Sequence, residues 1–264
     1  MSSGPAPAGA RWHQGLRFAA VLALAWLISL VVALGWPPEA PIWTLGLLLL
    51  RTQLQTGLFI VGHDAMHGLL WPGRRQRNDR LGAAALACYA ALPFGPCRAQ
   101  HRRHHRWTAT AADPDVLAGA ERGPLHWYLR FMAGYLTARQ MGRLLLTWAA
   151  LIVLAALITP APTSAPFTVL SQATGRVLLF CTVPLWLSSL QLFIVGTYLP
   201  HRRQRPPQGR PHPDSLPLPG WLSLMACFHF GYHREHHDNP GLAWYELPAA
   251  RRHRLAATLW APSR

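Results

Sequence analysis

The chain contains no lysine, so all 25 of its basic residues are arginine. Acidic residues are scarce as well, since Asp and Glu together number 10, and charged side chains make up only 13% of the chain. An ordinary soluble domain has about 25% charged residues. This shortage of charge, together with 51% hydrophobic residues, excludes an ordinary soluble domain and indicates one integral membrane unit.

Cysteine is also sparse, and its four residues form no CxxC pair: Cys88, Cys97, Cys181 and Cys227. The pattern predicts free thiols. The chain has no haem, flavin or iron–sulfur signature and no nucleic-acid-binding motif. The net charge is +15, and the basic residues lie beside the hydrophobic runs. We therefore attribute this charge to orientation in the membrane and contact with anionic lipid, and we predict no nucleic-acid partner.

Four hydrophobic runs approach or exceed the roughly 17 to 25 residues that span a bilayer. They cover residues 16–36, 41–62, 144–160 and 177–199. A fifth run, 81–96, is short and contains glycine and proline, so we predict a re-entrant or interfacial helix there. The predicted fold is an all-α integral membrane protein with four transmembrane helices in two hairpins. Because no cleavage site follows the first run, that run is predicted to be an uncleaved anchor.

The placement of arginine predicts the topology. The turns near 37–41 and 161–175 carry none, whereas the N-terminus, residues 74–143 and the chain after 201 carry nearly all. Arginine-rich segments stay in the cytoplasm, so both termini and the histidines described below are predicted to be cytoplasmic. We further predict a disordered head at 1–11, one domain at 12–255 and a tail at 256–264.

Histidine is abundant, and eight of the 14 residues form three boxes. The first box is HxxxH and the other two are HxxHH: His63 and His67; His101, His104 and His105; His233, His236 and His237. On a helix each box presents its imidazoles to one side. Eight such donors are more than one metal ion uses, so the boxes predict two metals. The lack of thiolate and the few carboxylates favour iron or zinc over calcium, magnesium and iron–sulfur clusters.

The second span is predicted to continue past His67, over roughly 40 Å, which exceeds the hydrocarbon core of a bilayer. The first box would then project into the cytoplasm. The fourth span ends in the same way at His201, which becomes a ninth candidate ligand or an interfacial histidine. His229 precedes the third box by one turn, and we predict that it supports the ligands from outside the metal sites.

Carboxylates near the boxes are candidates to accept the second ring N–H of a metal-bound histidine, which fixes its tautomer. These residues are Asp64, Asp113, Asp115 and Glu235. For Asp64 and Glu235, which lie inside boxes, a bridge between the two metals is the alternative role. Arg51 lies near the middle of the second span and is either functional or a packing residue that bonds Gln191 or a backbone carbonyl.

The boxes resemble those of the membrane fatty-acid desaturase and hydroxylase superfamily. Within it, the chain is similar to bacterial β-carotene ketolases between about residues 40 and 250. The similarity lies in TGLFIVGHDAMHG at 56–68, SSLQLF at 188–193 with GTYLPHR at 196–202, DPD at 113–115, and FHFGYHREHH at 228–237.

This resemblance implies a cytoplasmic cap with two iron ions, with His201 as a ligand and dioxygen as co-substrate. It further implies oxidation of the C4 methylene of a carotenoid β-ionone ring to a ketone, with electrons from a soluble ferredoxin-type donor. The expected location is the bacterial inner membrane. Alternatives are a β-carotene 3-hydroxylase, an acyl-lipid desaturase or hydroxylase, and a histidine-rich membrane metal transporter.

Overall fold

The computed structural model describes residues 8–37, 39–108, 110–115, 123–159, 166–202 and 213–259, and all regular structure in these ranges is helical. The helices are α1 (Ala8–Gly35), α2 (Pro41–Met66), α3 (Arg75–Ala90), α4 (Phe94–Trp107), α5 (Gly123–Tyr135), α6 (Ala138–Ile158), α7 (Pro166–His201), α8 (Gly220–Cys227), α9 (His233–Asp238) and α10 (Leu247–Leu259). A short 3₁₀ turn, Trp244–Glu246, precedes α10.

Four helices, α1, α2, α6 and α7, are long and apolar enough to cross a membrane, which confirms the four predicted spans. Helix α2 lies at the centre and packs against α1, α3 and α7, while α6 packs against the first part of α7. Large apolar side chains remain exposed on these spans, as expected of a surface that faces lipid. Examples are Leu24, Leu49, Leu146, Leu157 and Phe167.

The short run 81–96 forms parts of two helices, so the prediction of one helix there was wrong. Helix α3 ends at Ala90, and the next residue, Ala91, has a left-handed backbone with φ 53°. Pro93 then precedes the first turn of α4. Gly82 of α3 allows close packing on α2, because a Cβ at this position would overlap Ala65. The pair α3–α4 therefore places the second histidine box beside the end of α2.

Helix α7 spans 36 residues and begins at Pro166, so most of the turn predicted at 161–175 is helical. It contains two π-helical segments, Leu178–Thr182 and Leu192–Tyr198. A π-helical segment has one extra residue in its turn, which leaves a carbonyl available to a partner outside the helix. Arg51 uses such a carbonyl, because its Nε donates to Phe180 O at 3.1 Å.

The predicted limits of the domain lie near the two ends of the chain, where the described ranges stop. The boundaries predicted at 11 and 255 fall inside α1 and α10, and residues 1–7 and 260–264 lie outside the described ranges. Residues 203–212, a proline-containing stretch before α8 that we predict from its composition to be a loop, lie outside them too. The four cysteines are free thiols, as predicted.

Candidate metal centre

Nine histidines meet at one end of the helical bundle, and they come from four helices. His63 lies in the last turn of α2 and His67 caps that helix, while His201 is the last residue of α7. The second box lies on α4 and the third on α9. The spacing of each box places its rings on one side of its helix, so the four elements present their imidazoles to a common volume.

The nine rings divide into two groups, and within each group the ligand nitrogens all lie within 4.8 Å of one another. The first group contains His63, His67, His101, His105 and His236. The second group contains His104, His201, His233 and His237. The groups adjoin, since the rings of His105 and His237 stack with centroids 4.3 Å apart.

The ring nitrogens converge at distances that suit metal ligands. In the first group, His67 Nε2 lies 2.7 Å from His101 Nε2, and His105 Nε2 lies 2.9 Å from His236 Nε2. In the second, His237 Nε2 lies 3.1 Å from both His104 Nε2 and His233 Nε2. Two nitrogens bound at about 2.1 Å to one ion and at right angles to each other are about 3.0 Å apart.

One buried nitrogen supports the same interpretation. His63 Nε2 is buried and has no hydrogen-bond partner among the described residues. Leaving such an atom unpaired in the interior is costly, unless it coordinates a metal ion. The donor sets of both groups therefore fit metal ions that accept imidazole nitrogen, as the sequence predicted.

Burial keeps most of these rings neutral, which metal coordination requires. Desolvation lowers the pKa of His67 to about 4, with a smaller contribution from the nearby Arg102 guanidinium. Desolvation also lowers the pKa of His105 to about 2, assisted by the neighbouring His67 and His104 rings. It holds the pKa values of the other α4 and α9 ligand candidates except His104 well below the ordinary value, namely His101, His233, His236 and His237.

His104 is the exception, because it has carboxylate partners. Its Nδ1 lies 2.8 Å from Asp113 Oδ1 and 3.9 Å from Asp115 Oδ2. Burial lowers the pKa of His104, but the hydrogen bond to Asp113 and the charge of Asp115 outweigh burial and raise it above the ordinary value. Gln100 holds Asp115 through a 3.2 Å hydrogen bond. The arrangement places the Nδ1 proton toward Asp113 and leaves Nε2 facing the second group.

The other predicted supporting residues lie in different surroundings. Asp64 has an oxygen 3.5 Å from His63 Nδ1, and it accepts a hydrogen bond from the Trp244 backbone N–H at 3.3 Å. Glu235 turns away from the rings and binds Arg254 at 2.7 Å. His229 stacks on Tyr232 and Trp244 and contacts no histidine of either group. Thus the structure brings Asp64, Asp113 and Asp115 near the two groups and separates Glu235 and His229 from them.

Phe230 lies against the histidines and was not predicted from its position in the sequence. Its ring centroid is 4.7 Å from that of His63 and 5.4 Å from that of His233. Two residues with positive φ, Phe228 and His229, precede it and reverse the chain before α9. Helical spacing therefore gave no signal for Phe230, whereas the left-handed turn brings its ring onto the first group.

An apolar cavity of about 430 Å³ lies between α2, α3, α5, α6 and α7. Its wall includes Phe59, one turn before His63 on α2, and Tyr135, at the end of α5. Aromatic and aliphatic side chains supply most of the remaining wall, including Leu144, Trp148, Leu185 and Trp186. Such a volume and lining suit a hydrophobic ligand.

Comparison with known proteins agrees with this geometry. A model of the fatty acid desaturase family matches residues 38–261. A beta-carotene ketolase of Paracoccus sp. (strain PC1) is 35% identical over 249 residues, which cover 90% of this chain and 92% of the relative. Another from Paracoccus sp. (strain N81106 / MBIC 01143) is 35% identical and covers 86% and 88%. The zeaxanthin 4-ketolase of Chlamydomonas reinhardtii is 33% identical and covers 89% of this chain and 50% of the relative. The chain belongs to the fatty acid desaturase family.

Proposed function

We propose that this membrane protein is a β-carotene 4-ketolase, which converts the C4 methylene of a carotenoid β-ionone ring to a ketone. The observation that carries the proposal is similarity at 35% identity, over nine-tenths of both chains, to a beta-carotene ketolase. The adjoining histidine groups and the apolar cavity supply the metal-binding and lipid-binding parts that such a reaction requires.

The nine histidines would hold two iron ions, five imidazoles around one and four around the other. Iron suits a site built from neutral nitrogen donors with positions left open for dioxygen. When bound, the two ions supply the activation of O₂ for attack on a C–H bond. The protein keeps the imidazoles neutral by burial, and Asp113 holds the Nδ1 proton of His104 so that Nε2 is available to the metal.

The overall change at C4 balances as two hydroxylations and a dehydration. Each hydroxylation consumes one O₂, two electrons and two protons, inserts one oxygen atom into a C–H bond, and releases one water. The second hydroxylation gives a carbon with two hydroxyl groups, which loses water to form the ketone. The chain has no redox cofactor signature of its own, so the electrons would come from a soluble ferredoxin-type donor.

The cavity would hold the ring and part of the polyene. Its walls come from both spans and connecting helices, so a lipid-soluble carotenoid could enter from the bilayer. Phe230 places apolar surface beside the first histidine group, where it would exclude water from the reacting carbon, and Phe59 adds apolar surface to the cavity wall. The chain would lie in the bacterial inner membrane, with its metal centre on the cytoplasmic side.

Two alternative chemistries use the same centre. A 3-hydroxylase or an acyl-lipid desaturase or hydroxylase would differ only in which C–H bond is placed next to the metals. A metal transporter is disfavoured, since its ligands would lie along a path through the bilayer. Here the histidines cluster at the ends of α2 and α7.

Expression in a bacterial host that makes β-carotene tests the proposal, with pigments separated by chromatography and identified by mass spectrometry. We expect echinenone and canthaxanthin from the native chain, and no ketone from His63→Ala, which removes a ligand of the first group. His229→Asn is the matched control, because asparagine tolerates the positive φ and the ring contacts neither group.

The products distinguish the alternatives. Zeaxanthin in place of ketones would assign the chain to 3-hydroxylation. Unchanged β-carotene, with iron-loaded protein and a working electron donor, would contradict carotenoid oxidation and direct the search to acyl lipids. Metal uptake into vesicles without oxygen consumption would identify a transporter.

A further inference from the structure

One polar side chain that lines the apolar cavity is buried with its acceptor oxygen unpaired. Gln140, in the first turn of α6, is only 3% exposed and lines the cavity. Its Nε2 donates to the Ala90 carbonyl at 2.6 Å. Its Oε1 is buried and has no hydrogen-bond partner among the described residues.

The orientation of this amide follows from its partner. Ala90 is the last residue of α3, and the last carbonyls of a helix lack an intrahelical donor. A carbonyl accepts hydrogen bonds, so the Gln140 amide must turn its NH₂ group toward Ala90 and its oxygen away from it. A residue that lines the cavity thus carries an unpaired acceptor, which an all-hydrocarbon ligand would leave unsatisfied.

Gln140 lies on the side of the cavity that faces α4, the helix that carries the second histidine box. It also borders a more polar pocket that includes Cys97 and Gln100 of α4. Gln100 in turn donates to Asp115, whose other oxygen is 3.9 Å from His104 Nδ1. The other unpartnered polar atom of the cavity wall in the described ranges, Thr182 Oγ1, lies on α7 roughly 28 Å before His201 at 1.5 Å per residue.

We propose that Gln140 Oε1 accepts a hydrogen bond from a hydroxyl group on the bound β-ring, and so positions hydroxylated rings for oxidation. This inference rests on the proposed ketolase function. The hydroxyl has two sources: a C3 hydroxyl already present on the substrate, or the C4 hydroxyl made by the first of the two oxidations. In both cases a buried acceptor favours the hydroxyl-bearing ring over the hydrocarbon ring, because only the former satisfies it.

The test compares β-carotene with zeaxanthin, whose rings carry C3 hydroxyls, in membranes that contain the native chain, Gln140→Met or Gln53→Met. Methionine keeps the length of the side chain and removes the acceptor. Each variant is measured on both substrates, so a general loss of folding or iron lowers both rates and leaves their ratio unchanged. Gln53→Met makes the same substitution on α2 at a residue that does not line the cavity and donates to Leu224 O, so it is expected to leave the ratio unchanged.

If Gln140 binds the C3 hydroxyl, Gln140→Met lowers the rate on zeaxanthin relative to β-carotene by at least about fivefold. If it binds the C4 hydroxyl, the variant acting on β-carotene releases the 4-hydroxy compound in place of the ketone. The inference would be overturned if Gln140→Met had the same ratio of rates on the two substrates as the native chain and released no 4-hydroxy product.

Two further outcomes distinguish failure of this inference from failure of the proposed ketolase function. If Gln140→Met does not accumulate, the native chain is tested alone with both substrates in competition and with added 4-hydroxy compound. The inference is overturned if the native chain prefers β-carotene and does not convert the added 4-hydroxy compound to ketone. If the native chain forms ketone from neither substrate, the ketolase proposal itself fails.

Discussion

Among single residues, Asp113 has the closest carboxylate contact with the histidine groups, at 2.8 Å from His104 Nδ1. Its side chain is buried, and Asp113 Oδ1 also accepts the Asp115 backbone N–H at 3.0 Å. A carboxylate in this position fixes the ring orientation and the tautomer of a ligand. We therefore predict that Asp113 holds His104 in the tautomer that presents Nε2 to the second group.

Replacement of Asp113 by alanine is expected to lower metal affinity by about 10- to 100-fold, since His104 loses its orienting partner. The measurement is the chelator concentration that removes half of the iron from purified protein. Asp238→Asn is the control, because Asp238 lies on α9 beside the third box and pairs with Arg234 at 3.5 Å. Equal chelator resistance in the native chain and Asp113→Ala would contradict this role.

The neutral histidines also predict how the metal-free protein responds to pH. Burial lowers the pKa of His67 to about 4 and of His105 to about 2, from an ordinary value of 6.5. Below pH 6.5 these histidines bind protons in the unfolded chain but not in the folded chain. Proton binding therefore favours the unfolded chain, and the free energy of unfolding, which is highest above pH 6.5, decreases as the pH falls. His104 has a raised pKa and therefore has the opposite effect on the pH dependence of stability, but it is one group against several.

We therefore expect the unfolding temperature of metal-free protein in detergent to fall as the pH is lowered from about 7.5 to about 5. The double variant His67→Gln, His105→Gln removes two of the responsible groups, so its unfolding temperature should depend less steeply on pH. An unfolding temperature that rises toward low pH would show that the buried rings gain protons in the folded state.

Among the helices, those with regular periodicity were predictable, and those with local irregularities were not. The boxes at 63–67 and 101–105 predicted rings on one side of a helix, and α2 and α4 present them in this way. No sequence period predicts the π-helical segments of α7, whose partners lie far away in the chain: Arg51 bonds the first segment, and Phe230 packs on Gly196 of the second. The prediction that Arg51 bonds a backbone carbonyl is confirmed, whereas Gln191 bonds Thr56 instead.

The second π-helical segment places Gly196 directly against Phe230, and a Cβ at Gly196 would overlap that ring. Gly196→Ala is expected to push Phe230 toward His63 and His233, and so to reduce iron content and ketone formation. Gly175→Ala is the matched control on α7, because nothing lies within 4 Å of a Cβ there. Iron analysis and product analysis of both variants provide the measurement, and native iron content in Gly196→Ala would contradict the packing argument.

Arg51 joins three spans in the interior of the bundle. It is 1% exposed, and it donates to Phe180 O of α7, Trp26 O of α1 and Ser29 Oγ of α1. Its guanidinium also lies 5.3 Å from the Trp26 ring centroid. The contacts satisfy the carbonyl in the first π-helical segment, which indicates a packing role for this charge rather than a place in the chemistry.

Arg51→Leu should lower the stability of the protein in detergent by about 2 to 4 kcal/mol, since it leaves buried acceptors without donors. Activity per folded molecule should stay close to that of the native chain. The measurement is the rate of thermal inactivation together with the initial activity. Arg75→Leu removes an arginine that is 70% exposed and serves as the control. A complete loss of activity in folded, iron-loaded Arg51→Leu would indicate a direct functional role.

At the scale of the whole molecule, the positions of the nine histidines show the relative direction of the spans. His63 and His201 lie at the C-terminal ends of α2 and α7, so these two helices point toward the same side. The start of α1 reaches this side as well, because Phe18 packs on Tyr245 with ring centroids 4.9 Å apart. The described turns of α1 around Phe18, the segment around Tyr245 and all nine histidines therefore lie at one end of the bundle.

This geometry and the arginine distribution lead to one topology, which reporter fusions can measure. Arginine-rich segments resist translocation, so the histidine end should be cytoplasmic and the turn between α1 and α2 periplasmic. We expect green fluorescent protein fused to the C-terminus to fluoresce, and alkaline phosphatase inserted after Ala40 to be active. Phosphatase fused at the C-terminus is the control and should be inactive. The reverse pattern would place the metal centre in the periplasm, where a soluble cytoplasmic electron donor could not reach it.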